Sequence, residues 1–260
     1  MGDAASRLTV VFGGGNGIGA ASCRLMAQRG WRVVVVDLDG NAAAGVASEI
    51  GGVSYGLDIQ DRKALEKLAI DIERDAGPVY GLVVSSGAFQ ERCPPSELSD
   101  EVWHRMLNVN LVGAFNASHI FGTRMARRRA GSIVIVASHS GHVPTPVFAY
   151  AASKTAILSA TKSLAVTWAR SGVRVNSVSP GHVLVERKKK PRPGRYAGDL
   201  LSHIPLGRHI EPEEVAEGVE FLISDRSSAM TGTDLLIDAG LVAAGSFEMF
   251  GGVPPAEPVE

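Results

Sequence analysis

Apolar and polar residues along this chain follow two alternating patterns. Short apolar runs predict buried strands, and the segments between them, where apolar residues recur every three or four positions, predict amphipathic helices. The predicted strands are 8–12, 32–36, 53–57, 79–85, 132–136, 173–178 and 233–237. The predicted helices run from the glycines at 13–19 to about 30, from about 41, from 61 to 75, from 99 to 129, from 150 to 170 and from about 211. This alternation is typical of an α/β fold, a doubly wound parallel sheet with helices on both faces.

The carboxyl ends of the predicted strands carry small and polar residues. Ligands of doubly wound sheets bind beyond these ends, so we expect Asp58, Ser86 and Gly87 to line one crevice. The glycine-rich segment 13–19 follows the first strand, and residues without side chains let the backbone approach a pyrophosphate at a helix start. The alternative is a plain turn, because the spacing differs from GxGxxG.

Asp37 follows the second strand, where a carboxylate can accept hydrogen bonds from both hydroxyls of an adenosine ribose. The same charge repels a 2'-phosphate, and Asn16 in the glycine segment supplies no cation to compensate. These residues favour NAD. In the alternative interpretation, Asp37 only caps the helix that begins near residue 41.

Composition and charge narrow the class of protein. The chain has 260 residues, 45% of them apolar, which fits one α/β domain over 1–260. Its net charge of -1 argues against nucleic acid or a membrane surface as the main partner. Cys23 and Cys93 have no metal-ligand spacing, so we expect no metal site, no disulfide framework and a reducing compartment. Residues 1–7 are polar and no apolar run reaches about 18 residues, so a cytoplasmic protein is expected.

The segment 150–154 carries the strongest candidate chemistry. Tyr150 and Lys154 are four residues apart, which places them on one face of a helix, one turn apart. A neighbouring ammonium stabilises a phenolate and brings the pKa of a phenol down from about 10, so that tyrosine becomes a usable proton carrier. In the alternative, the pair is a core aromatic and a lysine at the edge of an amphipathic helix.

Several motifs, taken in their order and spacing, resemble the short-chain dehydrogenase/reductase family in its single-domain form. The resemblance covers about residues 7–242. The motifs are Gly13-xxx-Gly17-Ile18-Gly19, Asp58, Asn108-Val109-Asn110, Ser138, Tyr150-xxx-Lys154, Asn176-Ser177-Val178-Ser179-Pro180-Gly181 and Gly232-Thr233-Asp234-Leu235. The resemblance implies a Rossmann-type fold, a nicotinamide cofactor and a catalytic tetrad of Asn110, Ser138, Tyr150 and Lys154.

The resemblance also implies a role for each member of the tetrad. Tyr150 exchanges a proton with the substrate oxygen while hydride moves between substrate carbon and nicotinamide. Lys154 orients the nicotinamide ribose and lowers the pKa of Tyr150, Ser138 hydrogen-bonds the substrate oxygen, and Asn110 holds a relay water. The expected NAD-binding residues are Gly13, Asn16, Gly17, Ile18, Gly19, Asp37, Leu38, Asp58, Ile59, Ser86, Gly87, Tyr150, Lys154, Pro180, Gly181 and Val183.

Three positions depart from the family pattern. Phe12 stands where the family usually has threonine, and Ser85-Ser86-Gly87-Ala88 stands where it has Asn-Asn-Ala-Gly. The two changes are expected to be linked, since the family's threonine and asparagine lie close together. Val185 replaces a threonine that helps to hold the cofactor, and the Val183 backbone remains to serve the carboxamide. We therefore expect dinucleotide binding to survive.

A substrate lid is expected at about 182–205, and an extended arm at about 243–260. The lid contains 187–195, six cations in nine residues, which would attract an acidic substrate, a coenzyme A phosphate or an acidic carrier protein. A solvated lid whose charge serves solubility is the alternative. Three histidines are expected to flank the pocket, namely His139, His142 and His182.

The function that follows is an NAD-dependent oxidoreductase acting on a small alcohol or ketone. One alternative is a 3-oxoacyl thioester reductase, favoured by the basic residues 127–129 and the basic lid, but disfavoured by Asp37 because such reductases usually prefer NADPH. A non-catalytic dinucleotide-sensing protein is the other alternative. The resemblance implies a homotetramer built partly through the helices 99–129 and 150–170.

Overall fold

Strands and helices alternate along the chain in the computed structural model, which describes residues 7–185, 200–247 and 252–254. The strands are β1 (Leu8–Phe12), β2 (Arg32–Asp37), β3 (Val53–Gly56), β4 (Val79–Val84), β5 (Gly131–Val136), β6 (Val173–Pro180) and β7 (Asp234–Ile237). The helices are α1 (Gly17–Gln28), α2 (Gly40–Ile50), α3 (Arg62–Ala76), α4 (Asp100–Leu107), α5 (Ala114–Arg128), α6 (Phe148–Trp168), α7 (Pro212–Ile223) and α8 (Leu241–Ala244).

The seven strands form one parallel sheet in the order β3-β2-β1-β4-β5-β6-β7. The order reverses between β1 and β4, which leaves a crevice beyond their carboxyl ends. The doubly wound α/β fold expected from the alternating pattern is confirmed.

Each face of the sheet carries its own apolar core. Along β1, Val10 and Phe12 pack towards α3, α5 and α6, whereas Val11 packs with residues of α1, α2 and α7 on the other face. Side chains of a strand point alternately to opposite faces, and both faces are covered, so these strands are apolar throughout.

Within the described ranges, no helix is long and apolar enough to cross a membrane.

The predicted helix 99–129 is interrupted. Helix α4 ends at Leu107, a π-helical segment follows over Asn108–Gly113, and α5 begins at Ala114. A π-helical turn adds a residue to each turn and so rotates the side chains that follow it. Here the segment holds Asn110, whose side chain is buried. Periodicity alone predicted one continuous helix, because one extra residue barely changes the apolar pattern.

Other boundaries shift by a few residues. Strand β6 continues to Pro180, beyond the predicted end at 178, because pairing persists: the N–H of Gly181 donates to the carbonyl oxygen of Ile237 at 2.9 Å. Helix α8 extends to Ala244, two residues into the range expected to be an extended arm. The basic segment 187–195 of the predicted lid lies outside the described residues, as does most of the predicted arm.

Candidate active site

A cleft of about 1210 Å³ opens at the carboxyl ends of the strands. This volume exceeds the usual range for drug-sized ligands of about 300–1000 Å³, so it has room for a dinucleotide together with a small substrate. The predicted residues that line it are Gly13, Asn16, Gly17, Ile18, Asp37, Leu38, Asp58, Ile59, Ser86, Gly87, Ser138, Tyr150, Lys154, Pro180, Gly181 and Val183. Gly19 and Asn110 do not line it.

Backbone atoms leave no room for a side chain at Gly13 and Gly19 of the glycine loop. Gly13 has φ +74°, and a Cβ there would lie 2.6 Å from the backbone nitrogen of Ser86. A Cβ on Gly19 would lie 2.0 Å from the carbonyl oxygen of Gly13. The loop therefore presents bare backbone to the cleft at the start of α1, a cradle that suits a pyrophosphate.

Asp37 points towards the glycine loop and does not cap α2. Its Oδ2 accepts a hydrogen bond from the N–H of Gly15 at 2.9 Å. The cap of α2 is Asp39, whose Oδ1 accepts from the N–H groups of Asn41 and Ala42 at 3.0 and 3.1 Å. The alternative interpretation of Asp37 as a helix cap is therefore wrong, and its carboxylate lines the cleft beside the glycine loop.

The positions that depart from the family pattern make contacts with one another's surroundings through side chains and backbone. The Phe12 ring is buried and packs edge-on against Phe121, with ring centroids 5.9 Å apart. An apolar contact therefore replaces the threonine hydroxyl that the family usually has at this position. The Ser85 N–H donates to the Phe12 carbonyl oxygen at 2.9 Å, so backbone links the two altered positions. The Val185 side chain faces the glycine loop, and a Cβ on Gly17 would lie 3.0 Å from its Cγ1.

Tyr150 and Lys154 are both buried in the first two turns of α6. The Lys154 Nζ lies 5.7 Å from the centroid of the Tyr150 ring and donates to the Val136 carbonyl oxygen at 2.8 Å. The Tyr150 ring also stacks on Phe89, with ring centroids 5.1 Å apart. The sequence expectation that the tyrosine and the lysine share one helix face agrees with this geometry.

Burial changes the acidity of Lys154. It lowers the pKa of the ammonium from 10.5 to about 8, because the charged form loses hydration. A pKa of about 8 still leaves most of the amine protonated at neutral pH. The cation that a phenolate at Tyr150 needs is therefore present.

Ser138 follows β5 and lies at the cleft beside the Tyr150 helix. Its Oγ accepts a hydrogen bond from the Ser140 N–H at 3.2 Å, so the hydroxyl proton is available for a substrate oxygen. His139 and His182 line the cleft as expected. His142 does not: its Nε2 contacts Asp234 Oδ2 at 2.8 Å and Ser179 Oγ at 3.1 Å, so this part of the prediction is wrong.

Asn110 reaches the site through other residues. Its Oδ1 accepts from the Ala88 N–H at 2.7 Å. Its Nδ2 donates to the Ala88 carbonyl oxygen at 3.1 Å and to Ser153 Oγ at 3.2 Å. The amide thus fastens the loop after β4 to α6, and its role in a water relay stays a prediction.

Several lining residues had no sequence signal. They are Phe89, Gln90, Arg92, Arg105, Thr145 and Val147. All come from loops or from α4, and their place in the cleft depends on how distant segments meet.

Over the ranges that the structure describes, no group of three or more His, Cys, Asp or Glu side chains could hold a metal ion.

Comparison with known proteins agrees with this architecture. Residues 13–242 match the protein family described as Enoyl-(Acyl carrier protein) reductase. A crystal structure described as ribose-5-phosphate isomerase from Brucella melitensis 16M has a TM-score of 0.93 and 36% identity, covering 96% of this chain and 98% of that one. Because one fold hosts unrelated activities, this likeness supports the fold, and the isomerase name belongs to that protein.

Two curated relatives are dehydrogenases of small polyols. The D-threitol dehydrogenase of Mycolicibacterium smegmatis is 35% identical over 240 residues, which cover 90% of this chain and 92% of the relative. The NAD-dependent glycerol dehydrogenase of Listeria innocua serovar 6a is 35% identical over 239 residues, which cover 90% of this chain and 93% of the relative. Together with the family match over residues 13–242, these relatives show that the chain belongs to the short-chain dehydrogenase/reductase family.

Proposed function

We propose that this protein is an NAD-dependent oxidoreductase that interconverts a secondary alcohol and its ketone, with Tyr150 as the general acid and base. The observation that carries the proposal is the buried Tyr150–Lys154 pair, which lines the same cleft as the glycine loop and Ser138. The cleft therefore contains a phenol, an ammonium and a hydroxyl. This combination suits proton exchange with a carbinol oxygen.

The chemistry of the chain's own residues is proton handling and orientation. Tyr150 accepts the hydroxyl proton during oxidation and returns it during reduction. Lys154 stabilises the phenolate electrostatically, and Ser138 donates to the substrate oxygen as negative charge develops on it. Bound NAD would supply the other half of the reaction, accepting hydride from the carbinol carbon.

The proposed preference for NAD rests on Asp37. Its carboxylate lies at the cofactor side of the cleft, within reach of the glycine loop, and would accept hydrogen bonds from ribose hydroxyls. Arg24, a cation that also lines the cleft, is paired with Glu49 at 2.7 Å. A relative named as NAD-dependent also supports this preference.

Asp37→Asn tests the preference. Asparagine keeps an oxygen that can accept from the Gly15 N–H but removes the charge that repels a 2'-phosphate. The ratio of kcat/KM for NADP⁺ to that for NAD⁺ is expected to rise about 10-fold or more, the effect of one charged hydrogen bond. Initial rates with each cofactor measure the ratio.

Asp39→Asn is the matched control. It makes the same chemical change two residues along, at the cap of α2, where asparagine caps equally well. The cofactor ratio should stay at the wild-type value. An unchanged ratio in Asp37→Asn would remove the proposed role of Asp37.

A substrate panel tests the activity itself. It should contain D-threitol, glycerol, simple secondary alcohols, hydroxy acids and a β-hydroxyacyl thioester, each with NAD⁺ and NADP⁺, with NADH absorbance as the readout. Arg92 and Arg105 line the cleft, which supports the inclusion of acidic substrates. The proposal predicts oxidation of at least one alcohol, faster with NAD⁺.

A 3-oxoacyl thioester reductase is the second candidate, because a relative named 3-oxoacyl-[acyl-carrier-protein] reductase, from Thermotoga maritima, is 34% identical over 242 residues. The structure weakens the argument that the basic residues 127–129 bind an acidic carrier or thioester substrate. Arg128 bonds Glu73 and the Val79 carbonyl oxygen at the start of β4, and Arg129 bonds the Arg170 carbonyl oxygen. These arginines lie at the amino ends of the strands, whereas the cleft lies at the carboxyl ends.

We also propose a homotetramer, the assembly that the family resemblance implies. Its supporting observation is apolar exposure on the expected helices: Val112 is 46%, Phe115 40% and Val166 81% exposed. Analytical ultracentrifugation should give about 109 kDa, four times the 27.3 kDa of the chain. A 27.3 kDa species at micromolar concentration would contradict the proposal.

A further inference from the structure

The first turn of α6, which holds Tyr150, receives its cap from a distant residue. Val147, which precedes the helix, makes no side-chain capping bond. The N–H groups of Ala149 and Tyr150 donate instead to Oε1 of Gln90, at 2.9 and 3.2 Å. Gln90 comes from the loop after β4, and its oxygen satisfies two donors that the helix itself leaves unpaired.

We propose that Gln90 is a positioning residue for Tyr150. By holding the backbone N–H groups at the start of α6, it sets where the phenol hydroxyl stands relative to Ser138 and the substrate oxygen. The inference rests on the proposed role of Tyr150 in proton transfer. Gln90 itself exchanges no proton.

The Gln90 side chain is held in one orientation. It is only 4% exposed, and its Nε2 donates towards Cys93 Sγ at 3.9 Å. The amide nitrogen thus faces the thiol and the oxygen faces the helix, so each end of the amide meets a partner of suitable chemistry. A buried acceptor that is fixed on both sides can fix the donors it binds.

The neighbours of Gln90 hold Tyr150 as well. Phe89 stacks on the Tyr150 ring with an interplanar angle of 20°, and the backbone of Ala88 is tied by two hydrogen bonds to the Asn110 amide. Three successive loop residues therefore connect Asn110 to the tyrosine. Ala88, Phe89 and Gln90 thus support Tyr150 from the loop after β4.

A second series of contacts reaches the backbone carbonyl of the same residue, Tyr150. Asn110 Nδ2 donates to Ser153 Oγ, and that hydroxyl donates to the Tyr150 carbonyl oxygen at 2.6 Å. The N–H of Tyr150 is bound by Gln90 and its C=O by Ser153, and both chains of contact meet at Asn110. Loss of the Gln90 oxygen breaks this closed series of contacts at Tyr150, the residue that exchanges the proton.

Gln90→Met and Gln90→Glu separate the role of the oxygen from that of shape. Methionine fills a similar volume without an acceptor, and kcat is expected to fall about 10-fold to 100-fold, since small misplacements of a reacting group cost this much. The KM for NAD⁺ should stay within about twofold, because the glycine loop is untouched. Glutamate should restore kcat to within about threefold, because a carboxylate oxygen accepts the same two N–H groups at a helix start. The assay uses D-threitol or the panel alcohol that wild type oxidises fastest.

Two further measurements distinguish positioning from general stability. Ser99→Ala removes a side-chain cap from α4 and should lower the urea concentration at the midpoint of unfolding with no change in kcat. Amide hydrogen exchange on the full chain, without substrate, should show faster exchange at Ala149 and Tyr150 in Gln90→Met and slow exchange in Gln90→Glu. If Gln90→Met does not fold, Gln90→Asn takes its place, because the shorter amide cannot span the same gap.

The following outcomes would contradict the positioning role of Gln90 or the proposed function. A wild-type kcat in Gln90→Met, or a Gln90→Glu variant as slow as Gln90→Met, overturns the positioning role. Tyr150→Phe in the same assay separates the two proposals: if it is inactive while Gln90→Met keeps full turnover, only the role of Gln90 fails. If Tyr150→Phe keeps turnover, the proposed function fails and the role of Gln90 fails with it.

Discussion

Tyr150→Phe is expected to lower kcat for alcohol oxidation roughly 10²-fold to 10⁴-fold while NAD binding is retained. The substitution removes only the hydroxyl that exchanges the proton. The stacking of the ring on Phe89 and the Gln90 cap on the backbone do not depend on that oxygen. Initial rates from NADH absorbance give kcat, and titration of NADH fluorescence gives the Kd of the cofactor.

The matched control is Tyr80→Phe, the same change of one atom outside the cleft. The Tyr80 hydroxyl donates to Asp225 Oδ1 at 3.0 Å. Its loss should lower the free energy of unfolding by about 1 kcal/mol and leave kcat unchanged. Turnover of Tyr150→Phe within about twofold of wild type would end the assignment of Tyr150 as the proton carrier.

Lys154→Met is expected to lower kcat roughly 10²-fold to 10³-fold, because a phenolate at Tyr150 loses the cation that stabilises it. The KM for NAD⁺ should rise as well if Lys154 also orients the nicotinamide ribose. Steady-state kinetics separate the two effects. Lys63→Met, which removes an exposed lysine of α3, is the control and should leave both values unchanged. A Lys154→Met variant with wild-type kcat would contradict the proposed mechanism.

The same variant carries a pH signature in stability. The pKa of Lys154 is about 8 in the folded protein and 10.5 when the side chain is hydrated. Between these values the unfolded chain keeps a proton that the native state has released, so native stability rises with pH. The cost of burying the cation is complete below about pH 8 and disappears above about pH 10.5, a change on the order of 3 kcal/mol.

Urea unfolding across this pH window measures the change. The comparison is best made in the Tyr150→Phe background, so that ionisation of that phenol does not contribute. Protein with Lys154 should gain stability relative to Lys154→Met between about pH 8 and 10.5, and the difference should be constant below this range. A flat difference throughout would show that the lysine is not deprotonated more easily in the folded state.

The fold could be predicted largely from local pattern. Apolar runs such as 32–36 predicted strands because a strand covered on both faces must be apolar throughout, and the alternation with helices predicted the parallel sheet. The family resemblance is confirmed by the match over 13–242. Where boundaries differ, as at the end of β6, the cause is a hydrogen bond to another strand, which local pattern does not contain.

The site was predictable where spacing along one element determines geometry. Tyr150 and Lys154 share a face because both lie on α6, and Ser138 meets them because β5 ends beside that helix. His142 was misplaced because its partner Asp234 lies 92 residues further along the chain. Asn110 was placed on a continuous helix, whereas a π-helical segment carries it to the loop after β4.

Local sequence was enough to predict the alternation of strands and helices, the glycine loop, the acidic residue after β2 and the tyrosine–lysine pair. Each is set by neighbours a few residues apart, so periodicity and backbone sterics are enough to read it. Tertiary packing is needed for Gln90 to cap α6, for Asp37 to face Gly15 and for Asn110 to hydrogen-bond to Ala88. These contacts join segments 22 to 60 residues apart, and hydrogen bonds over such separations exist only once packing has brought the loops together.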